Sequence, residues 1–196
     1  ANAALGWMLE AKLGIAPPPE PATIAVEGPE RFAGNFESES FWARIDVEGG
    51  RLTADISGQP AKVRAVGPLQ FVLDSRIHSA SPLTFEASAE GAITGFTLGG
   101  QKFSRVSGEA PALPQHWRKA LGSYGHDFIP LIVSQRHGHL YVMTENMVDY
   151  RLTPVNLHVC DLPRGMYVDE EAVFLTDRRG RVHGINFAGM IFSKRN

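Results

Sequence analysis

Few residues in this 196-residue chain could do covalent chemistry, and their spacing does not favour it. A serine nucleophile of the Ser-x-x-Lys kind needs Ser three positions before Lys. The five lysines, Lys12, Lys62, Lys102, Lys119 and Lys194, are preceded at that distance by Leu9, Gln59, Gly99, His116 and Ile191. The chain has no Gly-x-Ser-x-Gly elbow, no Walker-type phosphate loop and no second cysteine to complete a zinc knuckle. No catalytic residue and no cofactor is assigned from the sequence. Six of the seven histidines lie in the second half. His137 and His139 are two apart, which puts both imidazoles on one side of an extended strand, where they could share a metal. Gly138 between them, however, matches Gly50, a turn residue of the first half. The pair is therefore read as hairpin residues in solvent, and no metal is assigned.

One loop stands apart. Cys160-Asp161-Leu162-Pro163-Arg164-Gly165 differs from the Ser-rich connection 73–82 of the first half. Asp161 places a carboxylate on a segment stiffened by Pro163, and such a group can hold an ammonium by a charge-assisted hydrogen bond. Also open is a plain surface loop in which Asp161 and Arg164 pair weakly with each other or with water. Cys160 has no adjacent base or cation cluster, so it reads as a structural thiol.

The elements that must position these residues are written twice. Gly34 and Gly122 are 88 apart, as are Leu52 and Leu140. Phe85, Gly91, Ile93, Gly95, Phe96 and Phe103 return at a step of 89 as Phe174, Gly180, Val182, Gly184, Ile185 and Phe192. A fixed period marks a repeated structural unit. Within each copy, short runs such as Arg44-Ile45-Asp46-Val47 alternate polar and apolar residues between turns such as Glu48-Gly49-Gly50. That alternation belongs to antiparallel strands buried on one face. Seven or eight short strands per copy predict an all-β chain of two tandem, small, up-and-down antiparallel barrels, because closure removes exposed sheet edges. The expected division is 1–22 for a helix and Pro-rich linker, 23–107 for the first barrel and 108–196 for the second. Strands are expected at 24–26, 156–160 and 166–169 among others, and a helical turn at 114–121. In the first barrel Phe32, Phe36, Phe41, Trp42, Phe71, Phe85, Phe96 and Phe103 could line an apolar cup or simply fill the interior.

In the N-terminal helix Leu5, Met8, Leu9 and Leu13 share one face, and Gly14 and the prolines that follow end it. This stripe is expected to dock on a neighbour, either the following barrel or a preceding domain whose last helix this is. A start without Met and in mid-helix suggests a piece of a longer protein. A formal net charge of −2 with interspersed signs is not a nucleic-acid footprint. No apolar run reaches the length of a membrane span. A single cysteine excludes an internal disulfide and fits a reducing, cytoplasmic setting, although a leader on the parent protein is left open.

The order Gly34-x-Phe36, Gly50-x-Leu52, Phe71, Phe85, Gly91-x-Ile93-x-Gly95-Phe96, Phe103-x-Arg105 resembles the lipocalin-like domains C-terminal to penicillin-recognising, β-lactamase-related serine hydrolases. Two in tandem are most similar to the second and third domains of bacterial D-aminopeptidases. The resemblance implies a separate N-terminal domain carrying Ser-x-x-Lys, and a small peptide or amide substrate with a free D-amino terminus. It also implies a loop of the last barrel that reaches the active site. By position that loop is 156–165, which makes Asp161, His158 and Cys160 candidate substrate-binding residues. The chain alone is then expected to be catalytically silent. Two other classes remain open: a free-standing lipocalin-like carrier of a small apolar ligand, and a structural module, with a homodimer as its partner.

Overall fold

Alternation of apolar and polar residues, cut every few positions by turn glycines, leaves a chain little choice but short antiparallel strands. The computed structural model describes residues 2–16, 21–78, 80–106, 108–164 and 170–195. It consists of two eight-stranded antiparallel barrels preceded by one helix, α1 (Asn2–Leu13). The first barrel holds β1 (Gly34–Glu37), β2 (Trp42–Glu48), β3 (Arg51–Ile56), β4 (Gln59–Ala65), β5 (Gln70–Ser75), β6 (Ser81–Ala87), β7 (Ile93–Leu98) and β8 (Gln101–Arg105). Each strand pairs with the next, and β1 returns to β8 through Phe36↔Arg105 and Glu37↔Ser104, so the barrel is closed.

A short helix, α2 (Gln115–Arg118), leads into the second barrel. Its strands are β9 (Gly122–Tyr124), β10 (Leu131–Arg136), β11 (His139–Met143), β12 (Asp149–Pro154), β13 (Val159–Asp161), β14 (Glu171–Thr176), β15 (Val182–Phe187) and β16 (Met190–Ser193). This barrel is nearly closed: β9 and β16 meet through a bridge at Tyr124↔Lys194 and the flanking bonds Gly125 N–H to Ser193 O and Arg195 N–H to Ser123 O.

The repeat has a physical cause at its seam. Gly34 and Gly122 open their barrels at φ +151° and +134°, a region that side chains rarely adopt. A Cβ on Gly34 would lie 2.3 Å from Nη1 of Arg105, and one on Gly122 would lie 3.2 Å from Cε of Lys194. Arg105 and Lys194 are repeat equivalents, and each lies over the ring of its cross-strand partner, Phe36 at 4.7 Å and Tyr124 at 5.8 Å. Arg105 also donates to the carbonyls of Ile93, Ala33 and Arg31, tying the last strand to the chain entering the first. Lys194 donates to the Lys119 carbonyl in the second copy.

The first barrel is filled rather than hollow. Phe32, Phe36, Phe71, Phe85, Phe96 and Phe103 are all essentially inaccessible, and their ring centroids lie 4.6–6.2 Å apart in mostly edge-to-face contacts. Phe41 sits at the rim. Trp42, expected among the lining residues, is buried outside the barrel, against the second one. In the second barrel Trp117 of α2 enters the core and meets Phe174 at 5.5 Å.

Three expectations change. No strand forms at 24–26; Ile24 N–H bonds to the Ala65 carbonyl at the end of β4, beyond the Thr53↔Lys62 end of the β3 pairing, and the contact goes no further. Residues 156–158 form a turn, since the Asn156 side chain accepts from the His158 and Val159 amides, and β13 begins only at Val159. The stripe of α1 does not pack on the first barrel: Leu5, Met8, Leu9 and Leu13 are exposed. The expected strand 166–169 and most of the proline run lie outside the described residues.

Candidate functional site

Strand alternation decides where the loop residues of the second barrel go. Cys160 and Ala172 face each other across β13 and β14, point inward and are fully buried. Burial, and secondarily the charge of Asp161, pushes the Cys160 thiol up to about 12. A thiol so placed is a core residue. The flanking pair, Asp161 and Glu171, is cross-strand matched and points outward into solvent. Neither carboxylate takes a side-chain hydrogen bond or ion pair among the described residues. Arg164, the expected partner of Asp161, instead lies 3.8 Å from Glu39 of the first barrel. His158 is on the exposed turn, beside a hollow of about 130 Å³ that it shares with His116, Trp117 and Leu157. Asp161, Cys160 and His158 are thus neighbours in sequence that face three different environments.

On the same outer face, next to Asp161, register builds an apolar row. Val159 pairs with Val173, Val173 with Asn186 and Asn186 with Ile191, while Val155 bonds to Val159 at the other end. Five adjacent strands at ~4.8 Å make this row about 20 Å wide. Val155 and Ile191 are 56% and 72% exposed. In the middle, the side-chain oxygen of Asn186 is buried without a partner among the described residues, a position that natural proteins normally satisfy.

A second assembly joins the barrels. The N–H groups of Asp149 and Arg151 point away from β11, where β13 does not reach, and donate to Ser57 O at 2.9 Å and Ser40 O at 2.8 Å. Trp42 Nε1 donates to Asp149 Oδ2 at 2.8 Å, and the guanidinium of Arg136 lies 3.5 Å over the Trp42 ring. Burial raises the Asp149 carboxyl above its usual range, and the Trp42 bond opposes that rise. Glu37 of β1 faces His137 Nδ1 at 3.1 Å, His139 Nε2 at 3.5 Å and Arg151 Nη1 at 3.8 Å. The two histidines are therefore hairpin residues as expected, but they face the first barrel rather than open solvent. Burial, then the Arg151 charge, holds His139 below the usual imidazole range, against the pull of Glu37. Tyr141 is buried in the same interface and its hydroxyl lacks a partner among the described residues.

Sequence reasoning missed Glu171 and the whole interface. Glu171 could be found only from the register of β13 on β14. The interface contacts join residues as distant in sequence as Ser38 and Arg151 or Glu39 and Arg164, and no periodicity links them. Among the described residues no group of His, Cys, Asp and Glu has the arrangement to hold a metal ion, and no helix is long and apolar enough to cross a membrane. The sequence matches no protein-family model and no curated protein.

Proposed function

We propose that these barrels are the non-catalytic accessory part of a β-lactamase-related serine hydrolase of the D-aminopeptidase kind. In this reading they pack on a separate catalytic domain and narrow its active site with the second-barrel loop 156–165. The observation that carries the proposal is the Asp161–Glu171 pair. Two like charges placed directly across a strand pair destabilise it. Here neither has a side-chain partner among the described residues, and a substrate ammonium would relieve the repulsion through charge-assisted hydrogen bonds. The adjoining row Val155, Val159, Val173 and Ile191 offers a flat apolar surface for the catalytic domain. The exposed apolar residues of α1, Trp7 among them, offer a second. The packed aromatic interior of the first barrel and the inward, high-pKa Cys160 favour this reading over an interior ligand carrier or a thiol enzyme.

The test is hydrolysis of D-alanine p-nitroanilide by the parent protein, with and without Asp161→Asn plus Glu171→Gln, beside the 196-residue chain alone. The expected results are activity in the parent, none in the chain alone, and a KM raised about tenfold in the double variant with kcat less affected. Hydrolysis by the isolated chain, or an unmoved KM, overturns the proposal.

A further inference from the structure

The mouth of the first barrel is not open to solvent along its whole rim. The segment between β11 and β12 lies over it: Gln59 Nε2 donates to Met147 O at 2.6 Å, and Arg76 donates to Asn146 O. Phe41 meets Tyr150 at 5.5 Å. Between this cover and the barrel remains a half-enclosed crevice of about 330 Å³. Its floor is Phe103, the last ring of the aromatic core, and its walls include Phe41, Leu98, Val148 and Tyr150. That size and a mostly apolar lining are those of small-molecule sites.

The chemistry of the lining narrows the occupant. None of the residues lining the crevice is Asp, Glu, Lys or Arg. An ion taken from water into such surroundings would lose its hydration without a counter-charge. Five polar side chains line it, of which Ser57 bonds to the Trp42 carbonyl and Asn146 to Tyr150, leaving Gln101 and His78. The Gln101 side-chain oxygen accepts from Ser38, and His78 Nδ1 lies 3.5 Å from Ser81 Oγ. Nε2 of each has no hydrogen bond among the described residues. Burial lowers the His78 pKa, which favours the neutral ring. We infer that this crevice is a binding site for a small uncharged molecule with a flat apolar body and one hydroxyl or carbonyl, which accepts a hydrogen bond from the Gln101 amide. Because the two barrels each supply walls, the occupied form holds them together, and the ligand stabilises docking by mass action. The site is independent of the proposed hydrolase role: it lies at the first barrel's mouth, and Asp161 and Glu171 take no part in it.

The test uses the whole chain, 2-naphthol as probe and methyl NMR. Saturable shifts are expected at Ile56, Leu98 and Val148, which all line the crevice. 2-Naphthalenesulfonate, an anion of the same shape, is expected to bind at least about tenfold more weakly. Gln101→Leu is expected to weaken 2-naphthol about fivefold through loss of one hydrogen bond. Val148→Trp fills the space and is expected to abolish the shifts. If that variant does not fold, contacts between probe protons and the Phe103 and Tyr150 rings in the wild-type chain decide instead. Absence of saturable shifts, shifts mapping elsewhere, or equal binding of the anion overturns the inference.

Discussion

The most direct perturbation of the barrel–barrel contact is Glu37→Gln. The carboxylate side chain is 13% exposed and faces three cation-capable groups, His137, His139 and Arg151, whose side chains are 25%, 34% and 23% exposed. Substitution leaves the Arg151 guanidinium opposite two imidazoles with no anion between them. Removing one partner of a fully buried pair costs 3–5 kcal/mol and of an exposed pair 0–1, so this half-buried cluster should cost about 2 kcal/mol. The loss falls on docking more than on either barrel's core, since Glu37 is outside both aromatic interiors. The readout is hydrogen exchange at the Trp42 indole N–H, which is held by Asp149 in the same interface. About 2 kcal/mol corresponds to about 30-fold faster exchange. Core amides such as those of Phe96 and Phe174 should change far less. The His139 pKa should also fall further, because Glu37 is the group that raises it. Unchanged indole exchange, or equal acceleration throughout both cores, would refute the assignment of Glu37 to docking.

Three further outcomes follow from the same geometry. His139 and His78 both titrate below the usual imidazole range, His78 by burial and His139 by burial and then Arg151. Protonation therefore favours the unfolded or undocked chain: stability is complete above about pH 6.5 and declines as pH falls from there through the folded-state values. A melting midpoint that rises from pH 7.5 to 5.5 would contradict this; the raised pKa of Asp149 acts with the opposite sign and further into acid. Gly34→Ala is expected to destabilise the first barrel by about 1–3 kcal/mol in urea titrations, through strain at positive φ and collision with Arg105. Gly122→Ala should cost the second barrel less, because its Cβ would meet only the flexible end of Lys194. Cys160 should resist iodoacetamide at pH 8 in the native chain and react only after denaturant is added, since it is fully buried and its thiol is raised to about 12.

Much of the architecture could be read along the chain because it rests on interactions between near neighbours. Alternation over Arg44–Val47 or Thr94–Leu98 requires one face inward, and each turn glycine sends the next strand back beside the last. The step between Gly34 and Gly122, and that between Gly95 and Gly184, survive for a steric reason. Arg105 or Lys194 crowds the first pair, and the carbonyl of Phe103 or Phe192 crowds the second. The second barrel's loop was legible as a departure from the repeat, but not in detail: the Asn156 turn shortened the expected strand, and alternation then sent Cys160 inward and Asp161 outward.

Tertiary structure alone decided what the outer faces do. Trp42 has the composition of a core residue, yet it packs under Arg136 and bonds to Asp149 because a second rigid body covers that side of the barrel. Glu37 meets His137 across 100 positions, and Glu171 meets Asp161 through register. Neither meeting leaves a period in the sequence. Periodicity records which way a side chain points from its own backbone; it carries no term for what another barrel, set down as a unit, will place in front of it.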